Sequence, residues 1–286
     1  MRGEFVKTRP FYYHTNMNHI NTGLLLSDEE YRALPNDIKW EVPYLYSFER
    51  KGRILCYFGS KHVMDPKHPQ FEILREKWQD FLNKTKDKKS MVIYEGNVNE
   101  KNLISINQAI EQHGESGAIV YWANKDQVPC FRPELTIADE TRELLKEFSR
   151  EDIFYFYMMR GIATWQRKVT HEDFNDFITR NIQRYQKELN WSDFDFSFET
   201  AIVKIHKKIF GKEFSLEDKD FLIQIKNLSF SEPRINKVAK KSCEIRDISI
   251  LEHIGKYWYE GYNIFVVYGS YHARIQEPAI KSLTQI

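Results

Sequence analysis

Four side chains able to do acid–base or metal chemistry stand at or just past the ends of apolar segments: His62, Glu95, Glu134 and His272. His62 closes Ile54-Leu-Cys-Tyr-Phe-Gly-Ser-Lys-His62, and His272 closes Ile264-Phe-Val-Val-Tyr-Gly-Ser-Tyr-His272. Each stretch is a short apolar run with β-branched and aromatic members, stopped by glycine, and reads as a buried strand followed by Gly-Ser-x-His. A glycine there permits a sharp turn or a close approach to a ligand. Met91-Val-Ile-Tyr-Glu-Gly96 is a third such strand and ends in the carboxylate of Glu95. In a parallel sheet the carboxyl ends share one edge, so His62, Glu95 and His272 are expected to converge there. Two neutral imidazoles and a carboxylate would ligate zinc, manganese or a similar divalent metal, which would lower the pKa of a bound water. Without a metal, the same groups serve as a general base and its orienting carboxylate. Taken singly, each residue reads as a hydrogen-bonded turn histidine or a solvated glutamate. The repetition of Gly-Ser-x-His is what singles the pair out.

Around these residues the alternatives stay open. Arg246 and Asp247 lie at the start of the helix before the second copy, where Arg246 could hold an anion or orient Glu95, or form a surface ion pair with its neighbour. Asp65 and His68 follow His62 in a loop, placed to touch a substrate or to cap the next helix. Arg132 and Glu134 suit a substrate site or a local salt bridge. His14, His19, His113, His171, His206 and His253 have no partner spacing. There is no Gly-rich phosphate loop, no H-E-x-x-H, no G-x-S-x-G and no C-x-x-C.

The elements that must position these groups follow from periodicity. Val42 to Phe48 and Arg53 to Phe58 read as strands joined by a turn at Lys51-Gly52. Pro66 and Pro69 make a loop after His62, and Phe71, Leu74, Trp78 and Phe81 carry a helix to about Leu82. A helix over about 102–112 closes at Gly114, a second apolar segment runs from Glu115 to Asn124, and Val128 to Phe131 is a short strand. This βαβα alternation predicts an α/β fold with a mainly parallel central sheet and flanking helices. From Ile137 to Phe230 helical stripes take over (Ile153, Tyr157, Arg160, Thr164 and Arg167; Phe174, Phe177, Ile178 and Ile182). They predict a helical insertion covering the sheet's C-terminal edge. Ser242 to Glu260 predicts a further helix, and Pro278 the start of a last one. The chain thus divides into an extension at 1–40, a first α/β half at 41–136, the insertion at 137–235, and a second half at 236–286 that completes the same domain.

Composition bounds the class. The 286 residues carry 29% charged and 42% hydrophobic residues, ordinary for a globular chain able to bury a sizeable core. A formal net charge of +1 gives no global pull toward nucleic acid or an anionic membrane, and the short run Lys237 to Lys241 reads as a solvated helix start. Cys56, Cys130 and Cys243 are far apart without zinc spacing, which fits free thiols in a reducing compartment. Met1 to Ile20 has no continuous apolar core, and no run approaches the roughly 20 residues of a membrane helix. The expectation is a soluble, cytoplasmic protein acting on a small-molecule or peptide substrate, with no nucleic-acid or membrane partner and a homodimer left open.

The order of the motifs resembles the TraB/Tiki superfamily, a clan that takes in haem-binding ChaN proteins and erythromycin esterases. The likeness rests on Gly59-Ser-Lys-His62, Glu95, the helix segment Glu244-Ile-Arg-Asp247 and Gly269-Ser-Tyr-His272, and covers about 53–135 and 240–280. It implies a hydrolase of peptide or ester bonds, metal-dependent through manganese, cobalt or zinc. His62 and His272 would bind metal or activate water, Glu95 would act as ligand or general base, and Arg246 would stabilise the oxyanion. Tiki proteins are membrane-tethered, whereas this chain has neither an anchor nor a signal by the reading above. The family's arginine–asparagine pair is Arg246-Asp247 here, so the likeness assigns Asp247 no role. ChaN-like relatives imply the alternative of a haem or small-ligand binding protein, its pocket lined by Phe154-Tyr-Phe-Tyr157. A non-catalytic interaction scaffold is the third reading.

Overall fold

The computed structural model describes residues 20–99, 102–166, 172–219 and 234–285. A five-stranded sheet lies at its centre, in the order β1-β2-β5-β3-β4. The strands are β1 (Tyr44–Arg50), β2 (Arg53–Ser60), β3 (Ser90–Tyr94), β4 (Cys130–Phe131) and β5 (Asn263–Gly269). β1 pairs antiparallel with β2, and every other pairing is parallel. The fold is therefore α/β with a mixed, mostly parallel sheet. The β1–β2 hairpin turns at Lys51 (φ 51°) and Gly52 (φ 71°), and positive φ at both central residues matches the right-handed twist of the strands.

The last strand in sequence sits in the middle of the sheet. All seven residues of β5 are buried, as expected for an apolar run covered on both faces. One face packs on α3 (Gln70–Lys84) and α4 (Ile106–Lys125), with Phe58, Trp78, Phe81, Ile119 and Phe265 in its core. The other packs on α10 (Ser270–Gln285) and the second half of α9 (Arg234–Tyr259), through Tyr57, Leu251, Trp258, Val266 and Tyr268. A third core joins α5 (Ile137–Leu144), α6 (Arg150–Gln166), α7 (Phe174–Leu189) and the π-helical turn Glu199–Lys204 that runs into α8 (Ile205–Phe210). Ile235, Val238, Ala239 and Ile245 of α9 complete that core. At 26 residues α9 is about 39 Å long, and its two halves serve two different cores.

Residues 20–41 fasten the outer side of α9 and α10. Helix α1 (Asp28–Ala33) starts at Ser27 with a capping box, Glu30 closing back on the Ser27 backbone. Helix α2 (Asn36–Trp40) follows, and the Arg274 guanidinium donates to the carbonyls of Ile38 and Glu41. Leu26 N–H donates to Ile275 O (3.1 Å), and Lys240 pairs with Asp28 (2.8 Å).

Several boundaries differ from the sequence reading. Helix α9 is already formed at Arg234, ahead of the start expected at Ser242, so Lys237 to Lys241 lie within it and Arg246-Asp247 fall inside the helix. It also runs across the boundary expected at 235/236. Helix α10 begins directly at Ser270, so Pro278 sits inside it rather than starting it. The break expected at Gly114 is present: α4 is two helical segments meeting at a kink, where Gly114 is non-helical (φ 58°, ψ −136°). Phe154, Tyr155, Phe156 and Tyr157, expected to line a ligand pocket in the binding-protein reading, are buried in the helical core. Arg167, the segment 220–233 and residues 1–19 lie outside the described residues. No described helix is long and apolar enough to cross a membrane.

Candidate active site

The parallel neighbours β2, β5 and β3 bring their carboxyl ends to one edge. Ser60 pairs with Gly269 and Tyr94 with Val267, and Glu95 N–H extends the ladder by donating to Val267 O (3.1 Å). The Glu95 carboxylate turns onto the end of β5, where its Oε2 accepts from Gly269 N–H (2.8 Å). His62 Nε2 stands 3.6 Å from the same oxygen, and His272 Nε2 stands 4.0 Å from Oε1. Arg246 Nη2 donates to Glu95 Oε1 (2.9 Å) and to Glu134 Oε1 (2.7 Å), joining the two carboxylates. His62, Glu95, Glu134, Arg246 and His272 thus form one cluster.

The two Gly-Ser-x-His copies are not equivalent. After Ser60 the chain passes into a proline-containing loop, and His62 takes a left-handed conformation (φ 59°) with 59% of its side chain exposed. After Gly269 the chain enters α10 at once, and the His272 side chain, in the first turn, is only 7% exposed. A Cβ on Gly59 would meet Tyr44 O at 2.9 Å and Ala273 Cβ at 2.8 Å, so the first glycine admits α10 against the sheet. A Cβ on Gly269 would meet His62 Nε2 at 2.6 Å, so the second admits the first copy's histidine.

Charge is concentrated here. Burial alone would raise the Glu95 pKa, but His62, His272, Arg246 and the Gly269 N–H together hold it well below the ordinary carboxylate range. Burial alone would lower the Arg246 pKa, and Glu95 and Glu134 hold it well above its ordinary value instead. For His62, desolvation of its inner face pulls down, and the nearby Glu115 and Glu95 carboxylates outweigh it, leaving the pKa raised.

Two further carboxylates belong to this site: Glu115, which the sequence did not single out, and Asp247, which it read only as the neighbour of Arg246. Glu115, 3% exposed, reaches the His62 loop from α4: its Oε1 accepts from Val63 N–H (2.7 Å) and Gln70 Nε2 (2.5 Å), and its Oε2 is 3.8 Å from His62 Nδ1. Gln70 Oε1 in turn accepts from Lys61 N–H (2.9 Å). Asp247, 2% exposed, receives His272 Nδ1 (2.7 Å) and Gln276 Nε2 (2.5 Å), both on Oδ1. The readable signals were a glutamate directly after a helix-breaking glycine, and an aspartate directly after Arg246. Neither sets a residue apart from a solvated carboxylate.

The remaining candidates have local partners. Asp65 Oδ1 accepts from Lys67 N–H (3.0 Å) and His68 Nδ1 from Gln70 N–H (3.2 Å), both within the loop before α3. Arg132 lies 4.0 Å from Glu134. His206 bonds Tyr155 OH (2.7 Å) in the helical core, and His253 bonds Ser249 O (2.8 Å). Tyr268, whose ring meets that of His272 edge-on at 5.9 Å, has a buried hydroxyl with no hydrogen-bond partner. Among the described residues no group of three or more His, Cys, Asp and Glu is arranged to hold a metal ion. A groove of about 610 Å³ between α7 and the Phe194–Phe198 connector includes none of the cluster residues. No known protein family, curated protein or solved structure matches the chain.

Proposed function

We propose that the chain is a hydrolase of the TraB/Tiki type, cleaving an ester or peptide bond at the Glu95 cluster. The observation that carries this reading is the approach of His62 Nε2 (3.6 Å) and His272 Nε2 (4.0 Å) to opposite oxygens of one Arg246-bound carboxylate. A carboxylate held so far below its ordinary pKa is a poor proton acceptor near neutrality, so Glu95 orients and an imidazole acts as base. Arg246 spends only Nη2 on Glu95 and Glu134, and its other donors would meet the oxyanion of a tetrahedral intermediate. Helices α5 to α8 would cover the carboxyl edge of the sheet and select the substrate.

A divalent metal held by His62, Glu95 and His272 would supply a water of lowered pKa. As arranged, each Glu95 oxygen already accepts from a donor, and the ion would stand against the Arg246 guanidinium. These residues do not offer such an ion a fitting site, and no step here depends on it.

The test is hydrolysis of ester and peptide panels by the purified full chain, beside Glu95→Gln and His272→Ala, with folding followed by circular dichroism. Activity lost in both folded variants supports the reading. Full activity in either one sinks it.

A further inference from the structure

We infer that Asp247, Gln276 and Tyr57 form a buried positioning chain that makes His272, not His62, the base of the site. The role of base rests on the hydrolase reading above. The tautomer from which it is argued does not.

The chain starts on β2. Tyr57 OH, on a residue 2% exposed, donates to Gln276 Oε1 (3.0 Å). A phenol can donate or accept, so it is the acceptor-only carboxylate of Asp247 that sets the amide's orientation, with the Nε2 donor toward Asp247 and Oε1 left to accept from Tyr57. Asp247 Oδ1 accepts the Nε2 bond, and an ionised carboxylate offers only acceptors. The hydrogen between Asp247 and His272 therefore belongs to His272 Nδ1 (2.7 Å). Tyr57, Gln276, Asp247 and His272 are all at most 6% exposed, so solvent does not compete for these bonds. The neutral His272 ring then carries its lone pair on Nε2, the nitrogen that faces Glu95 Oε1 at 4.0 Å. A water placed between them would donate one hydrogen to each.

His62 is held differently. Both of its nitrogens face carboxylates, Nε2 toward Glu95 (3.6 Å) and Nδ1 toward Glu115 (3.8 Å), and its side chain is 59% exposed. That setting favours a hydrogen on each nitrogen over a lone pair turned to a substrate.

The proton balance closes through His272 alone. A water gives one proton to Nε2, its oxygen bonds to the carbonyl carbon, and the carbonyl electron pair moves to the oxygen facing Arg246. Collapse restores the carbonyl, breaks the bond to the leaving group, and that group takes the proton from His272. Tyr57, Gln276 and Asp247 touch no substrate and act only through the ring.

The test is long-range ¹⁵N–¹H NMR of the labelled full chain, with the His272 signals assigned by their loss in His272→Gln. The expected wild-type pattern is the Nδ1–H tautomer. Asp247→Ala removes the acceptor, so the ring turns to the Nε2–H form and kcat falls about 10²-fold or more with KM little changed. Asp247→Asn keeps the accepting oxygen and restores the Nδ1–H pattern. A wild-type Nε2–H tautomer overturns the inference without any variant, and so does an unchanged tautomer in Asp247→Ala. The Nδ1–H pattern in a protein that cleaves no ester or peptide upholds the positioning chain and overturns the hydrolase reading instead.

Discussion

Gly269 and His62 occupy one space: a methyl on the glycine of the second motif would stand 2.6 Å from Nε2 of the first motif's histidine. The backbone at Gly269 is not in the left-handed region, so the requirement is room rather than conformational freedom. The His62 ring, 59% exposed on its outer side, can swing away. Gly269→Ala is therefore expected to fold, with stability changed by about 1 kcal/mol or less. Displacement of the imidazole is expected to lower hydrolysis by about 10²-fold. A melting curve beside an activity assay checks both, and wild-type activity in the variant would show that His62 need not sit against β5.

Gly114 poses the opposite case. It has φ 58° and ψ −136°, and an added Cβ would lie 2.8 Å from the Val63 carbonyl, which is backbone and cannot rotate away. Gly114→Ala is expected to cost about 1–3 kcal/mol and to loosen the Glu115 hold on Val63. Gly211, with φ 69° and nothing within 4 Å of an added Cβ, is the control. Its alanine variant is expected to cost about 1 kcal/mol. Chemical denaturation of the two variants side by side decides the point, and equal losses would argue that Val63 yields.

The depressed pKa of Glu95 makes stability depend on acid. Its folded value lies below the ordinary 4.5, so its contribution is fully present above that pH and is lost as pH falls through the folded value. The stability advantage of wild type over Glu95→Gln is expected to shrink below pH 4.5 by up to about 1.4 kcal/mol per pH unit. His62 runs the other way: its raised pKa stabilises below its ordinary 6.5 and the contribution is lost as pH rises through the folded value. Urea titrations at a series of pH values measure both slopes. A constant wild-type advantage down to pH 2.5 would contradict the Glu95 assignment.

Tyr268 carries a buried hydroxyl with no partner in the sheet-side core. Removing an unsatisfied buried polar atom recovers its desolvation cost, so Tyr268→Phe is expected to stabilise by about 1 kcal/mol. A fall in Tm would mean that the hydroxyl is satisfied in solution by a bound water or ligand.

Much of the frame could be read before any coordinates because its strands are buried on both faces. Leu55 to Phe58 and Ile264 to Tyr268 must be apolar where helices cover both sides, and each glycine marks where the sheet stops. Glu95 and the two histidines were legible for the same reason, since they stand at those stops. Asp247 and Glu115 were not, because a buried carboxylate is written like a solvated one until its donors are known. Gln276 lies one helical turn past His272, a spacing visible only once the helix is known to begin at Ser270. Pro278 hid that start: proline favours a first turn, yet in a 16-residue helix held by the sheet the loss of one bond is tolerated.

Helix α9 is at once a wall of the helical core and a wall of the sheet core, unbroken over 26 residues, with Arg246 between the residues it gives to each. Melting either core strips one half of that helix and leaves its carbonyls and amides without packing to hold them. The two cores are therefore bound into one cooperative unit, and a calorimetric scan of the full chain is expected to give a single heat-absorption peak. A substitution deep among the helices, at Val238 or Ile202, lowers the temperature at which the sheet itself comes apart.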